Sequence, residues 1–303
     1  MFAERFSELL QRFFAKQKNA VNSLLLLARC LLLVFTGFVI AGCNAVQAPE
    51  LRADAVVQLA LKSHWQQQLI NGEQFDLVAF LPQASAPQRQ LIIYIEGDGL
   101  AWRNHYTASY NPTPITPTAL KLALQHPTNN AVYLARPCQY VRAANGHHCQ
   151  QQVWTAGRFS EAVIASTAKA IDVLKTQYQA TSLVLVGYSG GGTLAALVAV
   201  RRQDVKQLIT VAANLDHRAW TDYHHISPLA KSLSLKVYRD RLSAIPQHHF
   251  VGANDLIVPA VLTKKFLATM PLSPWIVLDI IEGVDHDCCW VEQWPRLITG
   301  LQL

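Results

Sequence analysis

Apolar positions along this chain fall into blocks of two kinds. Short unbroken runs rich in Val, Ile and Leu recur at 91–97 (LIIYIEG), 131–137 (AVYLARP), 182–187 (SLVLVG), 208–214 (LITVAAN), 248–255 (HHFVGAND) and 275–283 (WIVLDIIEG). Runs of this length bounded by glycine or polar residues predict strands buried on both faces. Between them lie segments with apolar residues at helical spacing. In 158–179 these are Val163, Ala170, Val173, Leu174 and Tyr178, and a second helix is expected over Gly190–Arg201. Ahead of the series, residues 65–82 hold two strand-like runs around Asn71-Gly72, a hairpin signal. Residues 98–118 are too proline-rich for regular structure until about Ala119, and 288–302 predicts a closing helix that Pro295 should bend or break. Strands alternating with helices predict an α/β fold, a mostly parallel central sheet flanked by helices, with the hairpin adding antiparallel edge strands. No internal repeat and no second domain is evident.

The first 43 residues follow another pattern. Arg5, Arg12, Lys16, Lys18 and Arg29 are scattered through the opening, LLLLARCLLLVFTGFVI fills 24–40, and Ala41-Gly42-Cys43 follows. A basic start, an apolar core and small residues before a cut site make a secretory signal. Ile40-Ala41-Gly42-Cys43 resembles the bacterial lipobox, which implies lipidation of Cys43, removal of 1–42, and attachment to the membrane through the modified N-terminus. The competing reading is a membrane anchor, but Arg29 interrupts the run and its length falls slightly short of a span. Asn44, rather than aspartate, follows the cysteine and tilts the location toward the outer membrane facing the periplasm. On this reading 43–63 is a tether and 64–303 one domain, large enough for a substantial core.

Loss of residues 1–42 lowers the net charge from +6 to +3. That is too mild for a nucleic-acid partner, and no basic cluster lies beside aromatics. Of six cysteines, Cys30 leaves with the signal and Cys43 takes the lipid. Cys138, Cys149, Cys288 and Cys289 remain, and they allow three pairings in an oxidising compartment. Cys138–Cys149 closes one short loop and is the favoured bridge. The adjacent pair Cys288 and Cys289 would make a strained bond, so those thiols could instead be free or reach the other loop. No ligand grouping suggests a metal, and no cofactor is expected.

The chemistry concentrates at Gly187-Tyr188-Ser189-Gly190-Gly191. A strand passing into a helix within about three residues strains its apex residue and lifts that side chain above the sheet, and bulk two positions either side would collide. The following helix directs its N-terminus at Ser189, favouring developing negative charge. A phosphate loop would need a lysine after the glycines, and a dinucleotide fingerprint a glycine in place of the serine. Serine is a poor nucleophile unless a base, itself oriented by an acid, takes its proton. Asp255 and His286 each follow a predicted strand, in the order Ser, Asp, His, at the strand ends where an open parallel sheet gathers its site. Asp216 is the alternative acid. His248 and His249 suit structural roles, Asp285 and Asp287 suit solvated loop positions, and His224-His225 could line an entrance.

With these motifs over about residues 65–300, the chain resembles serine hydrolases of the α/β-hydrolase superfamily. The resemblance implies attack by Ser189, proton transfer by His286, orientation by Asp255, and an oxyanion hole from the N–H of Gly190 and a second N–H in 96–99, placed at Asp98. It implies a small-molecule or lipid acyl substrate, and a monomer is expected. Here the sequence departs from the His-Gly of many esterases: Glu96 and Asp98 would oppose an oxyanion unless turned away or neutralised, by Arg103 or Arg136. A non-catalytic envelope lipoprotein retaining the fold is the rival reading. Trp102, Tyr106, Tyr110 and Trp220 are candidate entrance residues, and 98–118 and 215–245 candidate lid segments.

Overall fold

A computed structural model describes residues 46–301 except 85, 105 and 142–147, together with positions 17 and 29. The signal segment 1–42 and Cys43 therefore lie outside the described residues, those two positions aside. Eight strands form one sheet in the order β1-β2-β4-β3-β5-β6-β7-β8. They are β1 Trp65–Asn71, β2 Asp76–Pro82, β3 Gln90–Ile95, β4 Ala131–Leu134, β5 Ser182–Tyr188, β6 Val205–Val211, β7 Gln247–Gly252 and β8 Ile276–Ile281. Pairing is antiparallel for β1/β2 and β2/β4 and parallel from β4 through β8. The hairpin turns by a different route from the expected one. Asn71 pairs with Asp76, so residues 72–75 make a four-residue connection, in which Glu73 rather than glycine takes the positive φ of 74°.

Alternation along the central strands sends side chains into two cores. Leu91, Ile93, Ile95, Leu183 and Leu185 face one side, where helices α3 (Glu161–Gln177) and α4 (Gly190–Ala199) pack. Ile92, Tyr94, Val184, Val186 and Tyr188 face the other, covered by α1 (Pro49–Lys62), α2 (Thr118–Leu124) and α7 (Trp290–Thr299). Helices α5 (His217–Tyr223) and α6 (Ala260–Leu267) complete the crossovers around β7. Ser160 starts α3 by accepting the Val163 N–H, which replaces one unpaired helix donor.

Three expectations need correction. Residues 49–62 are not tether but helix α1, because Val56 and Ala60, one turn apart, bury against the sheet, and the compact unit containing it begins at Gln47. Helix α7 runs through Pro295 without a break, with Trp290, Trp294, Leu297 and Ile298 fixing its inner face. Cys138 and Cys149 are joined, with Cα atoms 5.7 Å apart, and Cys288 is joined to Cys289 rather than free or bonded to the other loop. Among the described residues no helix is long and apolar enough to cross a membrane.

Candidate active site

The carboxyl ends of β3, β5, β7 and β8 converge on one cavity of about 670 Å³. Ser189, immediately after β5, has φ 50° and ψ −123°. This is a costly conformation for a residue with a Cβ, and its neighbours hold it there. A Cβ at Gly187 would overlap the backbone of Gly191 and Gly192, and one at Gly191 would overlap the carbonyl oxygens of Ile95 and Glu96. The Ser189 N–H is fixed on the Val211 carbonyl at 2.8 Å. Both glycines are thus spatial requirements of the bend.

The structure brings the three sequence-selected side chains together. His286 Nε2 lies 3.0 Å from Ser189 Oγ, and His286 Nδ1 lies 2.8 Å from Asp255 Oδ2. Asp255 has no exposed side-chain surface. Its other oxygen accepts the N–H groups of Ile257 and Val258 at 2.8 and 2.7 Å, so the carboxylate is fixed by backbone donors as well as by the imidazole. The assigned hydrogen bonds put the Nδ1 proton toward Asp255, leaving Nε2 to accept from the serine hydroxyl.

A further anchor holds His286. Tyr188, the residue between Gly187 and Ser189, donates its hydroxyl to the His286 carbonyl at 2.8 Å, and Trp290 Nε1 donates to the same oxygen at 3.1 Å. The Tyr188 and His286 rings lie 5.5 Å apart. Trp220 Nε1 and His224 Nε2 both reach the Ile257 carbonyl, at 2.7 and 2.8 Å, bracing the loop that presents Asp255. His224 therefore supports a loop and does not line the cavity.

The acidic loop after β3 resolves without charge repulsion. The Asp98 carboxylate pairs with both Arg136 and Arg158, whose side chains are each only 5% exposed. Burial pushes the Asp98 carboxyl up, but Arg158 and Arg136 outweigh it and hold the group below its ordinary value. Arg136 was one of two expected partners. Arg103 takes no part in the pair, and Arg158, sixty positions from Asp98, is an addition no local pattern announces. A Cβ on Gly190 would overlap the Asp98 carboxylate, so the two loops are in contact beside Ser189. Gln139 Nε2 donates to the Gly97 carbonyl at 2.9 Å and pins the loop. The N–H groups of Asp98 and Gly190 have no acceptor among the described residues.

Glu96 does turn away. Its Oε1 accepts the N–H groups of Gly97 and Ala119, at 2.9 and 3.3 Å, and Oε2 is buried without a partner among the described residues. Burial pushes its carboxyl up to about 7, against the pull of those two N–H groups.

The remaining candidates separate from the site. Asp216 caps α5 through the Ala219 N–H and pairs with Lys236. His249 is buried between Thr210 Oγ1 and Gln247 Oε1, and burial pushes it down to about 3. His248 pairs with Asp279 at 2.8 Å. Asp285 accepts the N–H groups of Asp287 and Cys288 in its own exposed turn. Trp102 and Trp220 line the cavity, together with Asp287, but Tyr106 and Tyr110 stand 94% and 67% exposed away from it.

No protein-family model and no curated protein matches the sequence. Solved structures do match in shape. An alpha-beta serine hydrolase homologue from Coxiella burnetii superposes with a TM-score of 0.50 at 16% identity, over 77% of this chain and 93% of that one. Est1E from Butyrivibrio proteoclasticus, solved with ferulic acid bound, gives 0.53 at 14% identity over 77% and 98%. A puromycin-hydrolyzing peptidase from Mycobacterium tuberculosis gives 0.55 at 13% identity, covering 78% of this chain and 38% of that one. At these identities the likeness concerns architecture alone. By its strand order, its parallel sheet with an antiparallel opening pair, and these neighbours, the chain has the α/β-hydrolase fold.

Proposed function

We propose that the protein is a serine hydrolase, lipid-anchored outside the cytoplasm, that cleaves an ester, thioester or amide through an acyl-enzyme on Ser189. The observation that carries this reading is the unbroken hydrogen-bonded line from Ser189 Oγ through His286 to the buried Asp255. Ser189 Oγ attacks the acyl carbon as His286 Nε2 takes its proton, and the carbonyl electron pair moves onto oxygen. The N–H groups of Gly190 and Asp98 receive that oxyanion. Collapse breaks the bond to the leaving group, which departs with the proton from His286, and water repeats the sequence to free the acid. Asp255 holds the tautomer and stabilises the imidazolium. No cofactor enters this chemistry.

The rival reading, a catalytically silent binding lipoprotein, drew its force from Glu96 and Asp98. The double pairing of Asp98 removes that objection and leaves one positive charge in surplus beside the oxyanion position. The test is p-nitrophenyl ester turnover by the purified full-length chain against Ser189→Ala. A loss of several orders of magnitude is expected. Equal rates would leave only the scaffold reading. The anchor rests on the sequence around Cys43. Palmitate labelling of the expressed protein should disappear in Cys43→Ser, and its persistence would assign residues 1–42 to another role.

A further inference from the structure

Resting on the hydrolase reading, we propose that Arg158 is the specificity-determining residue of this cavity and that the preferred acyl group carries a carboxylate. Arg158 sits ahead of α3 and is 4% exposed, yet it lines the same cavity as Ser189 and His286. Its donors divide unequally. Nε donates to the Thr155 carbonyl at 2.9 Å and Nη1 to Asp98. Nη2 has no partner among the described residues, and it is not among the side-chain atoms sealed away from solvent without one. A guanidinium held on two sides, with its third nitrogen unpaired at a cavity wall, presents two N–H donors in fixed directions.

The charges around it favour an anion there. One carboxylate, Asp98, is shared by two guanidinium groups, so the cluster carries a surplus positive charge. Arg136 spends its other nitrogen, Nη2, on the Arg158 carbonyl and does not line the cavity, which leaves the surplus facing inward only through Arg158. Four other titratable groups line the space: Glu96, Asp287, His286 and Tyr188. Glu96 is turned into the protein by its two backbone donors. Asp287, itself exposed, shares the Tyr188 hydroxyl proton with the His286 carbonyl, at the longer distance of 3.3 Å. Arg158 is joined through Asp98 to the loop packed on Gly190, and the proposal seats the acyl chain there, the leaving group lying toward His286, which must protonate it. Leu100, Ala101 and Trp102 line the same cavity and would flank a short methylene chain ending in a carboxylate.

The experiment compares two esters of matched chain length with the purified full-length chain: p-nitrophenyl valerate and mono-p-nitrophenyl glutarate, in which a carboxylate replaces the terminal methyl. A charge-assisted bond of ordinary strength predicts a kcat/KM for glutarate higher by roughly tenfold to a hundredfold. Arg158→Gln should bring the ratio of the two esters close to one, and Arg158→Lys should retain part of it. Arg136→Gln removes the cluster's surplus charge but leaves the Arg158 donors on the cavity wall, so its ratio should fall only part of the way and stay well above one. A wild-type ratio at or below one, or equal collapse in both Gln variants, would overturn the assignment. Glutarate binding to Ser189→Ala, followed by calorimetry, separates this inference from the hydrolase reading. Saturable binding lost in Ser189→Ala/Arg158→Gln supports Arg158 even if no ester turns over, and absence of binding counts against it whether or not esters are cleaved.

Discussion

Glu96 gives a stability prediction whose size follows from its surroundings. Its carboxyl is 1% exposed, with one oxygen on two backbone donors and the other unpaired. Burial raises it from an ordinary 4.5 to about 7. Between those values the folded chain holds a proton that the unfolded chain has released, so stability is complete below about pH 4.5 and declines as pH rises through 7. A shift of that size corresponds to about 3 kcal/mol. Three histidines oppose it in part of the same window: the half-buried His126, pushed down to about 4, and the buried His249, down to about 3, with the buried His217 also lowered, each chiefly by burial. Their unfolded forms bind protons below about 6.5, so their contribution to stability is present above that pH and falls on acidification. The whole-protein profile is therefore a sum of opposing slopes, and a difference against Glu96→Gln isolates the carboxyl. Glutamine keeps the shape and the uncharged state. Urea midpoints for both proteins, with disulfides intact, should give a stability difference that changes by about 3 kcal/mol in the variant's favour between pH 5 and 8.5. A difference that stays flat within about 0.5 kcal/mol across that range would refute the placement of a proton on Glu96.

Other outcomes follow from neighbouring contacts. Asp255→Asn keeps the packing but favours the wrong imidazole tautomer, and ester turnover should fall by about 10⁴ without loss of fold by circular dichroism. Asp98→Ala leaves Arg136 and Arg158 buried and unpaired, and urea unfolding should show a loss of about 3–5 kcal/mol. Replacing Cys138 and Cys149 together by serine opens a loop whose ends are 11 positions apart, and should cost about 3 kcal/mol by the same assay.

The parts of this molecule legible in its sequence share a physical cause. Central parallel strands are buried on both faces, so Leu183–Val186 and Leu91–Ile95 must be continuous apolar runs, and such runs are visible one at a time. Ser189, Asp255 and His286 each follow the carboxyl end of a strand within a few residues, and the parallel sheet turns that shared position into spatial proximity. Helix α1 leaves little sign in the sequence because 44–63 adjoins the signal region and only Val56 and Ala60 of its apolar residues bury fully at helical spacing, Ala53, Val57 and Leu59 packing only in part. The insertion of β4 between β2 and β3 leaves no local trace. Arg158 is the clearest loss: an isolated arginine before a helix carries no sign of a carboxylate sixty positions upstream. Tyr188 was readable as a member of the pentapeptide, but its hold on the His286 carbonyl depends on how far two distant loops approach.

The central claim is that the bend after β5 presents an activated hydroxyl. The direct measurement is covalent modification by a fluorophosphonate probe, mapped by mass spectrometry on the full-length chain. A single adduct on Ser189, abolished in Ser189→Ala and slowed at least a hundredfold in His286→Ala, is the predicted result. An unmodified Ser189, or labelling indifferent to His286, would contradict it.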